Sequence, residues 1–196
     1  MEQNAILPHK NYTGRVFAEL DLAGADLSRC EFAGCTFKSC NFSGALLQDT
    51  AFSECAFIMC NFSGAKFVGA RFRGAVFSES KFMGVDFTRI QPLLLAWEFA
   101  GCALDFCDFR GLALNRSRFE NCSLKESYFD GCALEKAFFG GSDLRGAVFS
   151  NSDLRNADFR GARNCLLDPS KNKTRGAKFS LPEAAGLLAP FGIELE

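Results

Sequence analysis

The 196-residue chain is long enough to enclose one substantial core, and its 22 basic and 23 acidic residues leave a net charge of −1 that names no partner. No apolar run approaches the ~20 residues a transmembrane helix needs, and the opening Met1–Lys10 lacks the basic-then-apolar order of a secretory signal, so a cytoplasmic location is expected. The 10 cysteines first suggest a disulfide scaffold, a reading that the missing signal and their spacing weaken.

In chain order, residues 1–10 form a leader that holds the only histidine, His9. From Phe17 every fifth residue is Phe or Leu: Phe17, Leu22, Leu27, Phe32, Phe37 and Phe42, then on without exception to Phe87. After a break at 88–98 the series resumes two residues out of phase at Phe99, and Phe and Leu then alternate strictly to Phe159. A small residue stands two places before most centres, and nine of the ten cysteines, all but Cys165, occupy that slot. Arg15, Leu20, Trp97 and Leu112 depart from it.

Neither regular element can use a period of five. On an α-helix such a step turns by about 140° and scatters the centres around the circumference. On a flat strand an odd step sends successive centres to opposite faces. The pattern is satisfied when five residues make one side of a coil, the centre points inward, and Gly eases many of the corners. The Phe/Leu alternation requires an even number of sides, and Cys40–Ala45 recurs as Cys60–Ala65 twenty residues later. Four sides per turn follow, giving seven turns and a rod roughly 34 Å long at about 4.8 Å per turn.

The repeat, close to Ala-Asp-Leu/Phe-x-Gly, resembles that of the pentapeptide-repeat family. The resemblance implies an all-β, right-handed quadrilateral β-helix over residues 11–162, with a C-terminal loop, a short α-helix and a tail over 163–196. The opening Asn11-Tyr12-Thr13-Gly14-Arg15-Val16-Phe17, with Asp21 and Gly24, looks like that of the Qnr group and the albicidin-immunity protein. The tail from Arg175 to Glu196 is similar to the end of the latter. Those members bind DNA gyrase, protect it from inhibitors, are described as DNA mimics, and dimerise through the C-terminal segment. The resemblance therefore implies gyrase as partner and a homodimer.

The tail also carries its own signals. Ser180 and Glu183 have capping-box spacing, with Pro182 early in the helix. Leu181, Ala184, Ala185 and Leu188 share one apolar face, Pro190 ends the helix, and Ile193 and Leu195 alternate like a strand. Such a helix either plugs the last coil or joins two chains; Leu181, Ala184, Leu188, Phe191, Ile193 and Leu195 are the candidate dimerisation residues. The two extra residues at the break cannot all follow the core pattern, which makes Arg89, Gln91, Pro92, Leu93 and Trp97 candidate partner contacts.

Chemistry is poorly represented. The sequence has no phosphate loop, no dinucleotide fingerprint, no Cys-x-x-Cys pair and one histidine, so no enzyme, cofactor or metal is expected. The slot cysteines read as small buried residues, although neighbours twenty apart stack within disulfide reach. A 34 Å mimic of DNA should offer roughly 20 negative charges. Outward residues sorted by side give none that is strongly acidic, one that is slightly basic (Arg71, Arg73, Arg116, Lys136, Arg155), and one with an apolar trace (Val16, Ile58, Met59, Val76, Phe138). No direct nucleic-acid binding is expected.

Overall fold

Each five-residue side presents one buried side chain between two outward ones, and stacking these sides builds the molecule. The computed structural model describes residues 6–91 and 97–193. Ten three-residue strands run in parallel: β1 (Asn11–Thr13), β2 (Val16–Ala18), β3 (Glu31–Ala33), β4 (Thr36–Lys38), β5 (Ala51–Ser53), β6 (Ala56–Ile58), β7 (Arg71–Arg73), β8 (Val76–Ser78), β9 (Glu98–Ala100) and β10 (Arg118–Glu120). Strands β1, β3, β5 and β7 form one sheet, and β2, β4, β6, β8, β9 and β10 a second. Single parallel bridges, such as Asp21 to Asn41 and Asp26 to Leu46, close the other two sides.

We number the sides by their inward columns. Side I starts at Tyr12 and Phe32, side II at Phe17 and Phe37, side III at Leu22 and Phe42, and side IV at Leu27 and Leu47. On side II the ladder passes through Val16, Thr36, Ala56, Val76, Glu98, Arg118, Phe138, Asp158 and Lys178. Every step is twenty residues except Val76 to Glu98. The coil thus carries on past 162, and Phe179 stacks on Phe159 at 5.0 Å.

The core is a set of ring stacks. Along side II, Phe99, Phe119, Phe139 and Phe159 lie face to face at 4.8–5.4 Å. Rings on side IV meet them edge-on, as Phe109 meets Phe119 at 5.8 Å and 77°. Offset stacks along a column and edge contacts across the interior both suit the aromatic quadrupole. The strict alternation of the second half has a spatial meaning: it puts Phe on opposed sides II and IV, and Leu on sides I and III.

Corners need a left-handed backbone, which side chains other than Gly adopt at a cost. Asp49 (φ 56°) accepts that cost, and its carboxylate folds over Gly69 (φ 68°) one turn on, where a Cβ would collide with it. Gly69→Ala is therefore expected to lower stability by about 1–2 kcal/mol, read as a lower urea midpoint, and Asp49→Ala in the same chain should recover part of the loss.

The small slot does more than fill space. Where a corner is tight, the third N–H on closes onto the central carbonyl, as Ala45 does onto Phe42 at 3.0 Å. A side chain from the next turn reaches the same carbonyl at corners of both kinds, as Ser127 does at Leu104, and at the wider corners after strands it replaces the missing N–H. Cys35 Sγ donates to the Tyr12 carbonyl and Cys55 Sγ to that of Phe32, each at 3.4 Å. Ser142 Oγ donates to the Phe119 carbonyl at 2.7 Å and accepts from Cys122 N–H at 2.9 Å. Thiols, weaker donors, and hydroxyls share the slot because each can bridge an open corner. All ten cysteines are free and buried.

The chain leaves the coil through a short α-helix, α1 (Leu181–Ala184), and two 3-10 turns, Ala185–Leu187 and Ala189–Phe191. The segment lies across the last coil: Leu187 packs on the core, and a Cβ on Gly186 would stand 2.6 Å from the Cys165 carbonyl oxygen. The capping box does not form. Ser180 makes no side-chain cap, because its Oγ instead accepts from Gly161 N–H at 2.9 Å as the chain turns away. Nor does one apolar helical face extend to Leu188, since α1 stops after four residues and Leu181 is 91% exposed. Pro190 lies inside the final 3-10 turn, which Gly192 (φ 66°) closes.

Candidate functional site

With the interior packed solid, the candidate site is a surface: the outward residues of four sides, the break, and the C-terminal end. Among the described residues no group of His, Cys, Asp and Glu is placed to hold a metal ion, and no helix is long and apolar enough to cross a membrane. Cys165, Cys107 and Cys132 are not poised as nucleophiles. Burial pushes Cys165 up to about 12, and Cys107 and Cys132 likewise, far from the depressed values of reactive cysteines.

Most charges on the second half of the rod are neutralised in place. In Asp108–Phe109–Arg110, Asp153–Leu154–Arg155 and Asp158–Phe159–Arg160, the inward residue separates two outward ones that meet. Each aspartate accepts the arginine's main-chain N–H and its Nε–H, the latter at 2.8–2.9 Å. The Arg155 guanidinium holds Asp153 below the usual carboxylate range, and Arg160 does the same for Asp158. A lowered folded pKa stabilises the fold above the unfolded value of about 3.9, and that contribution is lost as pH falls through the folded one. The pairs also explain the balanced surface, because an acidic side chain so engaged projects little field.

At the break the structure separates the predicted contacts. Arg89 and Gln91 are exposed, and Gln91 N–H still donates to the Ala70 carbonyl at 2.9 Å, in the regular register. The two extra residues therefore fall between Gln91 and Glu98. Pro92 and Leu93 lie outside the described residues. Trp97 is not a surface contact: it is 1% exposed and occupies the column of Cys55 and Ala75. Its indole packs against Phe72 at 5.9 Å, Phe87 at 5.3 Å and Phe99 at 5.7 Å. Among the described residues this is the one place where the small-residue slot holds an aromatic side chain.

At the C-terminal end, Leu181, Phe191 and Ile193 are exposed, Ala184 and Leu188 are half-buried, and Leu195 lies outside the described residues. An open groove of about 600 Å³ runs between Val148–Phe149 on side IV and Leu166, Leu167, Ala189 and Pro190. The apolar trace on side II is partial. Val16, Met59 and Val76 are exposed, Ile58 is half-buried, and the Arg118 guanidinium covers the Phe138 ring at 4.4 Å. The corner-bridging role of Cys and Ser was missed in the sequence, although their exchange within one slot was its signal.

The four-sided coil with small, bridging residues at its corners defines a parallel β-solenoid that presents outward ladders. The chain belongs to the pentapeptide-repeat family: the pentapeptide repeat region model matches residues 25–109, and the eight-copy pentapeptide repeats model matches 102–141 and 122–161. No curated protein matches the sequence significantly. Among solved structures the chain is similar to a trypsin-treated form of QnrB1, a plasmid-mediated fluoroquinolone resistance protein (TM-score 0.65, 22% identity, 100% of this chain and 94% of that one). Full-length QnrB1 gives TM-score 0.61 at 23% identity, covering 95% and 92%. HetL, involved in heterocyst differentiation regulation in the cyanobacterium Nostoc, gives 0.71 at 22%, covering 90% and 87%. At these identities the likeness is one of fold.

Proposed function

We propose that this rod is a cytoplasmic, homodimeric protein that binds DNA gyrase and protects it from inhibitors. The observation that carries the reading is the likeness to QnrB1 along the whole coil, joined to the Qnr-like opening Asn11–Phe17. Recognition on this reading rests on shape and local patches, because the Asp-x-Arg pairs deny the surface the uniform negative field of DNA. A supercoiling assay with purified gyrase and a fluoroquinolone tests it. Restored supercoiling in the presence of the protein is expected; unchanged inhibition at a large molar excess would reject the reading.

The exposed Leu181, Phe191 and Ile193 support a C-terminal dimer, since a second copy would cover them. Leu181→Asp with Phe191→Asp is expected to convert the dimer to monomer in sedimentation equilibrium. Equal monomer masses for the parent and the variant would rule the dimer out. A second reading, a scaffold for an unrelated protein partner, is favoured by the likeness to HetL, whose described role is regulatory.

A further inference from the structure

We infer that the C-terminal half of side I is a docking strip for an acidic polypeptide segment, which gives a chemistry to one contact surface of the protein-binding rod and rests on that reading. Across four successive levels of this side, Arg116, Lys136, Arg155, Lys173 and Arg175 are all exposed. The ladder Ala113, Ala133, Asp153, Lys173 fixes their register. Only two carboxylates stand among them. Asp153 is bound to Arg155 at 2.6 Å, while Glu135 lies 3.7 Å from Lys136 and 3.9 Å from Arg155. Among the described residues no carboxylate is within ion-pair distance of Arg116, Lys173 or Arg175. Elsewhere on this half, the Asp-x-Arg pairs of sides II and IV offset their own cations; here cations outnumber acids on one continuous side.

The spacing favours a polypeptide. Successive turns of the rod rise by about 4.8 Å, close to the ~5.4 Å at which an acidic α-helix repeats carboxylates along one face. Ala113 and Ala133 keep the floor low between the long basic side chains, leaving room for such a segment. A nucleic acid fits less well. The strip has no aromatic side chain to stack a base, two carboxylates sit within it, and the whole chain carries net charge −1.

The test is fluorescence anisotropy of the full chain with a labelled Glu-rich helical peptide, and with a short DNA duplex as comparator. Binding to the peptide should fall as salt is raised, and Arg116→Glu/Lys136→Glu/Arg175→Glu should weaken it by about tenfold. Lys38→Glu, an exposed reversal on side II, should leave it unchanged. Circular dichroism of each variant establishes that the coil is intact. No peptide binding, equal binding by the triple variant, or tighter binding of the duplex would overturn the inference. Since gyrase is absent from this experiment, its outcome is independent of whether gyrase is the partner.

Discussion

Phe119→Ala is expected to lower the stability of the rod by about 3–5 kcal/mol, seen as a marked drop in the denaturant midpoint. Phe119 is fully buried and stacks between Phe99 at 5.4 Å and Phe139 at 5.1 Å. It also meets Phe109 and Phe129 edge-on from the opposed side. The neighbouring rings are held by main-chain ladders and cannot collapse into the space, so the cavity persists. In a solenoid each coil depends on its neighbours, which makes a mid-rod vacancy felt above and below. Phe179→Ala, at the half-buried end of the same column, should cost clearly less. Equal costs at the two positions would show that column stacking is not what holds the rod.

The second large effect falls on a residue the hydrophobic pattern ignores. Ser142 is fully buried, donates to the Phe119 carbonyl at 2.7 Å and accepts from Cys122 N–H at 2.9 Å. Ser142→Ala keeps the packing but strands both main-chain groups away from water, at about 2–3 kcal/mol in total. Ser142→Cys should restore part of that, since a thiol still donates, as Cys122 does to Phe99 at 3.5 Å. A Ser142→Cys chain no more stable than Ser142→Ala would mean the slot selects for size alone. Both variants are compared by chemical denaturation with far-UV circular dichroism.

These two residues mark the extent to which the fold is legible in the sequence. The inward column at Phe119 can be read because side chains of one kind recur every five residues, and the alternation from Phe99 to Phe159 requires an even number of sides. The bridging role of Ser142 is not readable as such. It depends on which corners are wide, a backbone property that no single residue announces. Trp97 is unreadable for a related reason: its size argues for the surface, but the indole packs inward against Phe72, Phe87 and Phe99. At the C-terminus the Ser-x-x-Glu spacing promised a cap. Ser180 is still part of the last coil, however, and completes a ladder bond to Gly161 instead.

The candidate site is less legible than the fold, because outward positions obey no packing rule. Sorting them by side identified side I as slightly basic and left the others balanced. What the sequence could not show is that Asp153 and Asp158 are already engaged by Arg155 and Arg160, so their charges are unavailable to a partner. Nor could it show that, among the described residues, no carboxylate lies within ion-pair distance of Arg116, Lys173 or Arg175.

The central claim is that this rod works by binding gyrase, and sedimentation velocity of the full chain mixed with purified gyrase tests it most directly. The account predicts a faster boundary containing both proteins, saturating as the rod is added. Two independent boundaries at every ratio, with the rod folded by circular dichroism, would contradict it.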